Sequence, residues 1–212
     1  MSRSVVVVCA VVFGGLYLGA VAVLGTPPDA GSSTQAVNAW LGSHASHIRL
    51  TVWLLVIGLP FFCGSAAAIR SQLPDGLRDV FFAGAVGFVV ETAIQCWVWG
   101  ALAFSPSPSR QGSSVLLDLA LYWGPVLTSA TLAMLAPIAA VGLRRQGWPV
   151  WAGVIAAVAV VEQAVESLTV FGRHGFVAPG GGMNADLGAA VTAVALIAAV
   201  VVVVTRRAEP AV

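Results

Sequence analysis

The chain has 212 residues, 58% of them hydrophobic and 9% charged, with a formal charge of +1 and a mean hydropathy of +0.93. Soluble domains carry roughly a quarter charged residues, so this composition excludes a soluble globular domain and describes an integral membrane protein. There is no lysine, and the near-zero charge argues against nucleic acid or an acidic soluble protein as the main partner, because both require a basic surface.

Apolar runs long enough to span a bilayer, about 17 to 25 residues each, fall near 5–24, 48–69, 80–104, 115–143, 150–171 and 187–204. The expected fold is therefore an all-α, six-helix transmembrane bundle forming a single domain over 1–212. The first run is nearer in length to a spanning helix than to the short core of a signal peptide, and no small-residue cleavage site follows it. With six spans, Arg3, Arg70, Arg78, Arg144, Arg145, Arg206 and Arg207 share one side and Arg49, Arg110 and Arg173 the other. The positive-inside rule then places both termini in the cytoplasm of a multi-pass cell-membrane protein.

The connections on the cytoplasmic side are short, with turn residues at Pro74-Asp75-Gly76 and Gly147-Trp148-Pro149. Those on the outer side are longer and hold His44, His47 and His174. Within the first of them, 34–43 carries Val37, Asn38, Trp40 and Leu41 in an amphipathic pattern that predicts a short interfacial helix. Trp40 is expected at the headgroup level there, with Trp148 and Trp151 as the matching belt opposite. Pro60, Gly124-Pro125 and Pro137 predict kinks in helices that continue. The one at Gly124-Pro125 would bend the fourth span near its outer end, beside Tyr122 and Trp123. The Pro179-Gly180-Gly181-Gly182 run reads as a lid or turn, with Met183, Asn184 and Asp186 capping the last helix.

Cys9, Cys63 and Cys96 lie singly in apolar segments and read as small hydrophobes. The histidines lack the spacing of a zinc site, so neither a metal nor a cofactor is expected. Set against each other, the second and third spans match the fourth and fifth as a parallel hairpin repeat, each bearing a glutamate followed four residues later by a second polar group.

Those glutamates are the chemistry of the chain. An acidic side chain at the centre of a spanning helix costs about 2.5 to 3.5 kcal/mol even on lenient scales, so it requires a partner, a water-filled cavity or a proton. Glu91 and Glu162 fall near the midplane of the third and fifth spans. On the fifth, Glu162, Glu166, Thr169 and Arg173 follow i, i+4, i+7, i+11 spacing and form one stripe. On the third, Gln95 and Trp99 share the face of Glu91, and Asp118 and Tyr122 enter from the fourth. This predicts contact between the third and fifth spans, with Glu91 and Glu162 facing one cavity lined by Gln95, Trp97, Trp99, Asp118, Tyr122, Trp123, Thr169, Phe171 and Arg173. Glu91, Glu162 and Glu166 are the expected catalytic acids, Glu162 as the protonated one and Glu166 as the anion near Arg173.

A desolvated acid surrounded by aromatic faces is what protonating an alkene and stabilising the resulting cation require. In length, helix count and acids carried on separate helices, here Glu91 and Glu162 or Glu166, the chain resembles the small integral-membrane terpene cyclases of bacterial indole-terpenoid and fungal meroterpenoid pathways. That resemblance implies proton-initiated cyclisation of a prenyl chain, without the aspartate-rich metal motifs of the soluble synthases, which this sequence also lacks. The implied partners are a lipophilic prenylated small molecule and the lipid bilayer, with no nucleic acid. Two other functions use the same residues: a small proton-coupled transporter or channel, in which the glutamates carry protons, and a non-catalytic envelope protein, in which they only join helices.

Overall fold

The computed structural model describes residues 1–104, 112–172 and 175–206. Among the described residues there is no strand, and six helical segments are long and apolar enough to cross a membrane. In hydrocarbon a backbone that satisfies its own hydrogen bonds is the accessible solution for such runs. Helices α1 (Arg3–Leu24), α2 (Thr34–Arg70) and α3 (Leu77–Phe104) are followed by α4 (Ser113–Leu121) and α5 (Trp123–Leu143), which together make the fourth span. Helix α6 (Val150–Glu166) tightens into a 3₁₀ turn over Ser167–Phe171, and a π-helical turn over Met183–Gly188 leads into α7 (Ala189–Thr205).

The expected interfacial helix at 34–43 is not a separate element. Ser33 caps a single helix of 37 residues, its side chain accepting from the Ala36 N–H at 3.3 Å. At 1.5 Å per residue such a helix is about 55 Å long, well beyond the roughly 30 Å of a hydrocarbon core, and its first turns pack on the start of α4, where Thr34 meets the Ser114 hydroxyl at 3.2 Å and Asn38 accepts from Ser113. Trp40 turns inward there, stacked on His44 at 4.7 Å and edge-on to Trp99 at 6.1 Å. Trp148 is likewise buried, donating to the Gln72 carbonyl at 3.2 Å, whereas Trp151 is exposed as a belt residue would be.

Helices α2 and α5 continue through Pro60 and Pro137. The fourth span breaks at Tyr122, three residues before Pro125, whose ring removes a backbone donor. Gln95 of α3 supports the break, its Nε2 donating to the Ala120 carbonyl at 2.8 Å.

In packing order α2 joins α1 to α3, α5 lies between α3 and α6, and α7 closes the bundle against α6, α1 and α2. Small residues allow the closest approaches: a Cβ on Gly142 or Gly153 would overlap the other's backbone at the α5–α6 crossing, and one on Gly84 would strike Ala130 and Met134 of α5. The interposed α5 corrects the expected contact between the third and fifth spans. The start of α1 and the end of α7 meet at one end, where Arg3 Nη2 donates to the Arg206 carbonyl at 2.6 Å, and Arg70 and Arg78 pair with Asp79 and Asp75. Apolar packing forms one cluster around Phe81, Met134 and Ile138 and another around Leu41, Leu102 and Leu117 towards the opposite end. The polar site lies between them.

Candidate functional site

The site grows outward from Gln163, buried on α6 where the helix faces α5 and α7. A glutamine amide offers two N–H donors and a carbonyl, and all three are used. Its carbonyl oxygen accepts from the Thr131 hydroxyl of α5. Its Nε2 donates to Glu162 Oε2 at 2.8 Å and also to Glu166 Oε2. The other oxygen of Glu166 accepts from Asn184 Nδ2 at 2.7 Å, and the same amide reaches Thr169 Oγ1 at 3.1 Å. One hydrogen-bonded row therefore runs Thr131, Gln163, Glu166, Asn184, Thr169, with Glu162 attached at its side.

Asn184 reaches this row because of its local chain. Gly180 turns the backbone at φ +73°, and the wider π-helical turn that follows carries Asn184 to the interior at the start of the last span. Two glycines leave the room: a Cβ on Gly188 would lie on the Glu166 carboxylate, and one on Gly124 would overlap the Asn184 side chain.

The row forms the polar wall of a cavity of about 70 Å³ whose other walls are Phe13, Tyr17, Phe88, Trp123, Leu127 and Leu196. A second space of about 150 Å³ adjoins it towards the opposite end, past Thr51, Gln95, Trp99, Leu121 and Gly180, and the two share Tyr17, Trp123, Gly124, Asn184 and Ala189 as walls. Three buried polar atoms on these walls have no partner among the described residues: Trp123 Nε1, Asn184 Oδ1 and Thr192 Oγ1.

Compared with known protein families, with characterised proteins and with solved structures, the chain has no match. The geometry alone carries the functional argument.

Of the expected acids, only Glu166 lines the cavity, and it is 4% exposed. Glu162 is half-buried beside it, linked through Gln163, with its Oε1 unpartnered. Glu91 is apart: half-buried on α3, it meets the Ser129 hydroxyl of α5 and leaves Oε2 without a partner, and it is not among the residues lining the cavity. The expectation that Glu91 and Glu162 face one cavity is therefore replaced by a cavity around Glu166, because α5 stands between the helices that carry them.

Among the other expected pocket residues, Gln95, Trp99 and Trp123 do line the cavity, and Thr169 holds Asn184. Asp118 instead fastens the first loop, its Oδ1 accepting from the Gly31 N–H at 2.9 Å. Trp97 and Phe171 are 77% and 82% exposed and face outward, and Tyr122 lies exposed at the helix break. Arg173 and His174 lie outside the described residues, as do the 105–111 connection with Arg110, and Arg207. His44 and His47 pack edge to face at 5.7 Å, and among the described residues no group of three His, Cys, Asp or Glu suits a metal ion.

Sequence reasoning missed Tyr17, Thr131, Gln163, Asn184 and Thr192. Gln163 carried a signal, since an amide between two midspan glutamates has few solvated alternatives in hydrocarbon. The others are single polar residues whose inward placement depends on which helices are neighbours.

Proposed function

We propose that this chain is a membrane-embedded enzyme in which Glu166 protonates a prenyl chain and so begins a carbocation cyclisation, within a cell membrane and with the arginine-rich end in the cytoplasm. The observation that carries the reading is that a buried carboxyl group, Glu166, stands beside Thr131, Gln163, Asn184 and Thr192 in a cavity whose other walls are mostly apolar and aromatic.

In the first step the O–H bond of the Glu166 carboxylic acid breaks and the π pair of a substrate alkene takes the proton as a new C–H bond, leaving a carboxylate and a tertiary cation. Gln163 Nε2 and Asn184 Nδ2 then donate to the two oxygens of that carboxylate, charge-assisted bonds stronger than those to a neutral acid. The faces of Phe13, Tyr17, Phe88 and Trp123 surround the cation with negative quadrupole density. A further alkene closes a C–C bond onto it, and loss of a C–H proton back to Glu166 ends the reaction. Substrate and product are isomers.

Membranes carrying the wild-type chain, incubated with linear or epoxidised prenylated substrates, are expected to form cyclic products resolved from the substrate by chromatography. Glu166→Gln keeps the shape and removes the acid, and it should lower their formation by about 10² to 10⁴-fold, the usual contribution of a general acid. Untouched substrates with the wild type, or unimpaired cyclisation by Glu166→Gln, would rule the reading out.

A second reading rests on the Glu162, Gln163, Glu166 row, which joins two acids through one amide and suits a proton-coupled transporter. It requires proton flux in liposomes that Glu162→Gln abolishes.

A further inference from the structure

We infer that the cavity is filled from the side, by a long-chain lipid that leaves the bilayer through a furrow between α1 and α7. The inference rests on the reading of the Glu166 cavity as a substrate site and adds the class of molecule and its route.

The route is a chain of adjoining spaces that share walls. From Glu166 the cavity passes Phe13, Tyr17, Ala193 and Leu196, and the same four residues border the next apolar space between α1, α2 and α7. That space shares Ala10, Gly14, Ile197 and Val200 with a third, whose walls are α1 and α7 alone. The last space is open to the surroundings of the bundle: Val11 of α1 is 67% exposed and Ile197 of α7 is 61% exposed. These helices are among the most hydropathic spans, at 2.5 and 2.8, so what surrounds the opening is lipid hydrocarbon and not water.

The furrow exists because of the residues that face it. Gly14 and Gly15 leave open space where a Cβ would stand, with nothing within 4 Å. Helix α1 packs chiefly on α2 and meets α7 less extensively. At the terminal end the Arg3 to Arg206 hydrogen bond draws the two helices together, which leaves the gap beyond it, at the level of the acyl chains.

Small residues alone would signify only loose packing. The interior end of the route supplies the second observation. Asn184 and Thr192 are 9% and 8% exposed, and Asn184 Oδ1 and Thr192 Oγ1 lie on the cavity wall without a partner among the described residues. A buried polar atom without a partner costs about 1 to 3 kcal/mol, so these atoms call for a ligand group that both donates and accepts. An amphiphile with one polar end and a long apolar chain fits both ends of the path, its head at Asn184, Thr192 and Trp123 and its chain along α1 and α7.

The test uses alkylation, which does not depend on turnover. In the full-length chain with Cys9, Cys63 and Cys96 replaced by alanine, Ala193→Cys places one thiol where the cavity meets the furrow. In native membranes N-hexadecyl maleimide, which travels in the bilayer, is expected to label this thiol faster than a sulfonated, water-soluble maleimide. Adding Gly14→Trp fills the furrow from α1, and Ile197→Trp fills it from α7. Either is expected to abolish labelling by the hexadecyl reagent in native membranes and to leave labelling of the detergent-denatured chain intact. Two plugs on different helices guard against one that disturbs folding. Labelling that persists through both plugs, an aqueous reagent that reacts as fast, or a thiol that reacts only after denaturation would each overturn the inference. A chain with no cyclase activity but plug-sensitive labelling would reject the proposed reaction and keep the lateral route.

Discussion

Glu91 and Glu166 are both intramembrane glutamates on helices that pack against α5, yet they occupy opposite kinds of place. Glu91 sits on the α3–α5 seam with one hydroxyl contact and one oxygen unpartnered, among exposed neighbours such as Val90 and Ile94. Glu166 has amide donors on both oxygens and an aromatic cavity in front of it. The difference lies in the neighbours. A third helical segment, the π-helical turn ahead of α7, reaches Glu166 and brings Asn184 with it, while nothing comparable covers Glu91. Of these two acids, Glu166 is the one to which another helix supplies both a hydrogen-bond donor and space.

The sharpest way to break this comparison is to neutralise each acid. Glu166→Gln should lower cyclisation by about 10² to 10⁴-fold, the usual contribution of a general acid, and Glu91→Gln should leave the rate unchanged. Equal losses in product-formation assays would make the two acids equivalent. The next contrast is steric. Gly188→Ala sets a methyl against the Glu166 carboxylate and should destabilise by about 1 to 3 kcal/mol, as overpacking does. Gly100→Ala, on the helix of Glu91 with nothing within 4 Å, should be neutral or slightly stabilising, since alanine is the better helix former. Unfolding in mixed micelles by sodium dodecyl sulfate measures both.

Asn184→Leu removes the donor to Glu166 and Thr169 and should cost about 1 to 3 kcal/mol by the same unfolding assay, with activity falling as well because the carboxylate loses its support. A variant with full activity would separate Asn184 from the site. The smallest expected change is at Gln95, where leucine leaves the Ala120 carbonyl at the helix break without its side-chain donor. Membrane hydrogen bonds of this kind average about 0.6 kcal/mol, so a slight loss of stability is expected, with the α4–α5 break retained because Pro125 causes it.

Much of the architecture was legible because the bilayer reduces the problem to a length and a polarity. The six spans, the break near Gly124-Pro125 and the need of the 160–166 acids for polar partners all follow from apolar run lengths, a missing proline donor and the cost of a buried charge. The extent of α2 was not legible, since a polar stretch before a span reads the same whether it lies on the membrane or continues the helix. The partner of the 160–166 acids was not legible either. The face shared by Glu91, Gln95 and Trp99 suggested the third span, but those residues diverge: Gln95 and Trp99 border the cavity while Glu91 turns to Ser129.

The sequence by itself determined a six-helix membrane protein with costly acids in its third and fifth spans, because hydropathy and helical spacing are local properties. Which acid meets a cavity was decided only by tertiary structure. Gly142 and Gly153 let α5 and α6 approach closely, α5 thereby separates α3 from α6, and the glycines at 124 and 188 make room for Asn184 beside Glu166. These are contacts between residues far apart in the chain, and no periodicity within one helix encodes them.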